Sequence, residues 1–152
     1  MHTRLALTVG LLLTACTTTE RIDDPRAPAL TGDWRLEMRR AAGTIAASET
    51  GRIALVAVQR DKPTLLGDAH LLAAGAVTMN EGTIVRRIAD GTRVEAYPSG
   101  RDSVQLRFSS EHGEYDVTLV GALRNDTISG VWQLVIGRSS GATGVFQVTR
   151  PR

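Results

Sequence analysis

The chain has 152 residues, 22% of them charged and 42% hydrophobic, with a formal net charge of +2. That is a one-domain length, and the balance excludes both a disordered tail and a multi-span membrane protein. One Cys excludes an internal disulfide and a Cys-based zinc cluster, and 4% aromatics leaves Ala, Val, Leu and Ile to build the core.

Residues 1–16 read MHTRLALTVGLLLTAC. Arg4 supplies a positive n-region, and residues 5–13 form an apolar stretch. It is far shorter than the ~20 residues that span a bilayer, and it fits the core of an export signal. It ends in Leu13-Thr14-Ala15-Cys16, which resembles the lipobox of bacterial lipoproteins. The resemblance implies removal of residues 1–15 and acylation of the Cys16 thiol. Lipoproteins of this kind carry two or three chains there, enough for stable anchoring. Thr17, where an Asp tends to retain relatives at the inner membrane, points to the outer membrane, facing the periplasm.

Residues 17–30, TTTERIDDPRAPAL, lack periodicity and are broken by Pro25 and Pro28. Such a segment buries too little apolar surface to offset its ordering entropy, so residues 16–30 are expected to be a flexible tether. Residues 31–152 remain for the folded domain. Its basic residues are almost all Arg, spread singly or in pairs such as Arg39-Arg40 and Arg86-Arg87. No basic stripe with stacking aromatics appears, so no nucleic-acid partner is expected.

Within the domain, Gly recurs mostly every seven to eleven residues, the spacing of short strands joined by turns. Between the turns the period is two. Trp34, Leu36 and Met38 alternate with Arg35, Glu37 and Arg39. Val104, Leu106 and Phe108 form a second such face, Tyr115, Val117 and Leu119 a third, and Ile128, Gly130, Trp132, Leu134 and Ile136 a fourth. Residues 53–58 are apolar throughout and are expected to be covered on both faces. The predicted strands are 33–40, 43–48, 51–59, 68–77, 82–89, 92–97, 103–109, 114–122, 127–136 and 143–149. The Ala and Leu of 68–77 would also suit a short helix. Consecutive hairpins close naturally into an all-β, antiparallel up-and-down barrel of about eight to ten strands, with a β-sandwich as the alternative.

Gly32-Asp33-Trp34 at the start of the first strand resembles the Gly-x-Trp motif of lipocalin-type barrels. The resemblance implies that Trp34 crosses the closed end of the barrel against an Arg after the last strand. Arg150, following Val145-Phe146-Gln147-Val148-Thr149, is the matching residue. Ile128-Ser129-Gly130-Val131-Trp132 with residues 144–150 is also similar to avidin-like and other small bacterial barrels.

Gly137-Arg138-Ser139-Ser140-Gly141 matches the hydrolase pattern G-x-S-x-G, but that motif requires a following helix, and residues 142–149 read as a strand. His112, in Glu111-His112-Gly113-Glu114, reads as a solvated hairpin tip, and His70 as a rim or surface residue. No nucleophile–base pair, metal-ligand spacing or dinucleotide fingerprint is present, so neither catalysis nor a cofactor is expected. Two readings follow. The first is a lipid-anchored cell-envelope lipoprotein whose barrel is a binding or interaction module, with an envelope protein as a possible partner. The second is a carrier of a small apolar ligand inside the barrel. Trp34 and Trp132 are the candidate ligand-binding residues, with core packing as their alternative role.

Overall fold

A computed structural model describes residues 24–40, 48–58, 70–80, 88, 91–110 and 112–152. A short helix, α1 (Arg26–Leu30), precedes eight strands: β1 (Gly32–Arg40), β2 (Ser48–Ala57), β3 (Ala73–Met79), β4 (Thr92–Pro98), β5 (Ser103–Ser109), β6 (Tyr115–Arg124), β7 (Thr127–Ile136) and β8 (Ser139–Thr149). Each strand pairs antiparallel with the next, and β1 pairs with β8 from Arg35↔Thr149 to Arg40↔Gly144. The sheet therefore closes on itself as an up-and-down barrel without exposed edges, and the sandwich alternative falls away.

The period-two faces explain the closure. Leu36 meets Val148, Val148 meets Ile128, and Leu106 meets Leu119 across the ladders. These side chains are buried in one continuous core. A one-residue slip in any ladder would turn such a set outward. Tight hairpins hold the register. The β6–β7 turn is Asn125-Asp126, with Asn125 in the left-handed region at φ 50°, which Asn tolerates better than most residues.

Several expectations need correction. The tether does not extend to Leu30, since Arg26–Leu30 is helical and Leu30 is fully buried. A five-residue helix has no stability of its own, and tertiary contacts hold it. The Arg26 guanidinium donates to the Gly100 and Ser103 carbonyls at 2.6 and 2.9 Å. Those partners lie more than 70 residues away, beyond the reach of local periodicity.

The expected break between strands 43–48 and 51–59 is absent, because β2 runs unbroken from Ser48 to Ala57 with Gly51 buried within it. A Cβ there would stand 2.8 Å from the Thr78 carbonyl oxygen, so this glycine permits close strand approach and marks no turn. Residues 53–58 are covered on one face only, with Val56 66% exposed. The doubtful segment 68–77 is strand from Ala73 to Met79 and contains no helix among its described residues. The last strand begins at Ser139, not 143, after a two-residue turn, and an irregularity at Leu134/Val135 leaves Ile136, expected inward, 40% exposed. Of the expected strands 43–48 and 82–89, all but Ser48 and Ile88 lie outside the described residues, as do the leader and Cys16.

Candidate functional site

The two ends of the barrel differ. At one end Trp34 lies under α1 and donates its indole N–H to the Leu30 carbonyl at 2.8 Å. The Arg150 guanidinium stacks over that ring, 3.9 Å from its centroid, and donates to the Ala29 carbonyl at 2.8 Å. The lipocalin-type closure expected from Gly32-Asp33-Trp34 is therefore formed. Gly32, at φ 119°, leaves the space that Arg150 crosses. Helix, indole and guanidinium together seal this end. Arg26 is held in turn by Asp24, whose carboxylate accepts from the Arg26 backbone N–H at 2.9 Å and from its guanidinium at 2.7 Å.

Those bonds hold the Asp24 carboxyl below the usual carboxylate range. Because the folded value is lowered, the stabilisation is present above about pH 4 and is lost as pH falls through the lowered value. An acid titration of the folded protein should show this loss as a low-pH shift of Trp34 fluorescence in a Trp132→Phe variant. Asp24→Asn should remove the pH dependence of that step.

The middle of the interior is filled. Leu36, Ile53, Val94, Leu106, Phe108 and Leu119 are fully buried. The inward glycines do not enlarge the space, because aromatic rings occupy it. A Cβ on Gly121 would meet the Phe146 ring at 2.8 Å, and one on Gly144 would meet the Trp132 ring at 2.5–2.8 Å. Trp132 lies against that wall and donates its indole N–H to the Arg39 carbonyl at 3.0 Å. The two candidate tryptophans are thus separated: Trp34 belongs to the seal, and Trp132 to the wall reaching toward the other end.

At that other end the inward series becomes polar. The first inward positions of β2, β4 and β6 are Glu49, Thr92 and Tyr115. Glu49 is 2% exposed and pairs across the ladder with Met38. Tyr115 and Ile88 are buried here too, but less completely than the residues at mid-barrel. The interior thus passes from an apolar middle to a mixed rim of carboxyl, hydroxyl, thioether and phenol groups. That is the make-up of a small-molecule site, an apolar wall with a few polar groups. Glu49 was legible in principle, two residues before Gly51 on the face of Ile53 and Leu55.

Outside the barrel, Val131 and Val145 are 61% and 53% exposed on β7 and β8. With Val120 and Thr118 they line a shallow groove of about 360 Å³. On the outward series of β4, Glu95 is buried, accepts from the Tyr97 hydroxyl and pairs with Arg93. Arg107 and Asp116 form a two-pronged ion pair beside them, with Nε–Oδ1 at 3.0 Å.

Ser139 opens β8 directly after the turn at 137–138, so G-x-S-x-G lies on a strand–turn–strand unit. His112 is exposed at the β5–β6 hairpin, and His70 is half-buried before β3. Among the described residues no group of three or more His, Cys, Asp or Glu is placed to hold a metal ion. No helix among them is long and apolar enough to cross a membrane. No family model, curated protein or solved structure matches this chain.

Proposed function

We propose that this protein is a small-molecule-binding barrel that takes an apolar ligand at the end opposite the Trp34–Arg150 seal. The observation that carries the reading is the asymmetry of the interior. One end is closed by α1, Trp34 and Arg150, and the other ends in the rim of Glu49, Thr92 and Tyr115. The filled middle restricts a ligand to the rim level, which favours a small molecule over a long chain. On this reading the leader and Cys16 anchor the barrel to the cell envelope by acyl chains, with Thr17 favouring the outer membrane.

A second reading, an interaction module for an envelope protein, is favoured by the exposed Val131 and Val145. An unpaired apolar strip on a sheet face is a surface that a partner can cover.

Intrinsic fluorescence separates the two, because the tryptophans report on opposite ends. In a Trp34→Phe variant, Trp132 should respond saturably to the apolar probe N-phenyl-1-naphthylamine. In a Trp132→Phe variant, Trp34 should not respond. Mass spectrometry of the natively purified protein should find a co-purified apolar molecule and an acylated Cys16. If Trp132 is silent and no such molecule is found, the carrier reading fails in favour of the interaction module. A Cys16 without acyl mass would end the anchoring reading alone.

A further inference from the structure

A groove of about 840 Å³ runs over the outside of β1 and β2 beside the sealed end. Its walls include Arg35, Arg52, Arg150 and Arg152, with Asp33 the one carboxylate side chain among its lining residues. The arginines that look scattered in sequence are thus gathered by the fold.

Arg35 and Arg52 are direct cross-strand partners on the outward face. Like charges placed opposite each other on one sheet face destabilise it. Both are exposed, and neither makes an ion pair among the described residues. Glu37, on the same face of β1, is bonded to Arg39 at 2.7 Å and offsets the charge of Arg35 only through space, without an ion pair to it. Thr50 and Asn80, bonded to each other at 2.7 Å, add a hydroxyl and an amide to the groove wall.

We infer that this groove binds a phosphate-bearing anion, clamped between Arg35 and Arg52. Opposed cross-strand residues have Cβ atoms about 5 Å apart, which puts one tetrahedral anion within reach of both guanidinium forks. Phosphate offers enough oxygens to accept from both forks, and guanidinium matches it in a two-pronged geometry. The repulsion between the two arginines is then relieved when the anion is bound. Arg152 adds charge from beyond the last strand. Arg150 contributes field only, since its guanidinium is committed to Trp34 and the Ala29 carbonyl. The inference is independent of the ligand proposed for the interior.

Two probes distinguish the sources of such a group. Inorganic pyrophosphate tests a soluble anion, and phosphatidylglycerol in phosphatidylcholine vesicles tests a lipid headgroup. The full chain should bind at least one of them, with an affinity that falls as salt rises. The paired Arg35→Gln, Arg52→Gln variant should lose tenfold or more of that affinity. Binding of pyrophosphate alone assigns a soluble anion, and binding that depends on phosphatidylglycerol alone assigns a headgroup. The paired variant should also melt about 1–4 °C higher in the absence of ligand, because the repulsion is gone. Pyrophosphate, if it binds, should raise the melting temperature of the parent only. If the paired variant folds poorly, Arg152→Gln, outside the strands, should still weaken binding severalfold. Equal binding of both probes by the parent and the variants, or no binding of either by the parent, overturns the inference.

Discussion

Trp34→Ala should cost the barrel about 3–5 kcal/mol, the range for removing a buried aromatic side chain from a core. A typical domain has 5–15 kcal/mol in all, so the variant should be close to unfolding. Three losses coincide. The indole leaves a cavity where it was 1% exposed. The Leu30 carbonyl loses its donor at 2.8 Å. The Arg150 guanidinium loses the ring beneath it. Arg150→Ala should cost less, about 1 kcal/mol, since that side chain remains partly solvated. The two changes should be non-additive by at least about 0.5 kcal/mol, because the groups touch. Urea denaturation of both single variants and the double variant measures this coupling. A cycle that closes with no coupling would show that indole and arginine do not act as one seal.

Gly75→Ala should be nearly as damaging for the opposite reason. A Cβ at this position would penetrate the Ala54 carbonyl oxygen and stand 2.8 Å from its carbon and 3.1 Å from Leu55 Cα. These are backbone atoms of the paired strand and have no rotamer by which to retreat. β2 and β3 would have to separate along their ladder, so the cost should reach or pass the upper end of the about 1–3 kcal/mol typical of overpacking. Gly91→Ala is the control. Its φ is +79° but nothing lies within 4 Å, so only the left-handed backbone cost of about 1–2 kcal/mol applies. Denaturation midpoints should therefore fall in the order parent, Gly91→Ala, Gly75→Ala. The reverse order would mean that the two strands are not in such close contact.

The same glycines show how far the sequence could be read. Gly91, Gly100, Gly113 and Gly137 lie outside the strands with positive φ, and Gly100 and Gly113 stand in the turns expected of them, between β4 and β5 and between β5 and β6. Gly51, Gly75, Gly121, Gly130 and Gly144 lie within strands, where a Cβ would strike a neighbouring strand or an aromatic ring. Nothing local separates the two kinds. A turn glycine answers to its own backbone, whereas a packing glycine answers to a strand that the chain reaches much later. Gly51 therefore resembles a turn glycine in sequence, and only the pairing of β2 with β3 makes Glu49 an inward residue of the same strand.

Period-two alternation was enough, by itself, to establish an antiparallel all-β domain, because side-chain direction along a strand is a local property. Gly32-Asp33-Trp34 and Arg150 were legible for a related reason: each stands at a strand end, and closure of the barrel brings those ends together. Three features were decided only by the tertiary structure. The tail of the supposed tether became a helical plug through bonds to Gly100 and Ser103. The inward glycines Gly121 and Gly144 make room for the rings of Phe146 and Trp132. Arg35, Arg52 and Arg152 came to share one groove. All three depend on contacts between residues far apart in the chain, and register and closure, not local pattern, determine which of those residues meet.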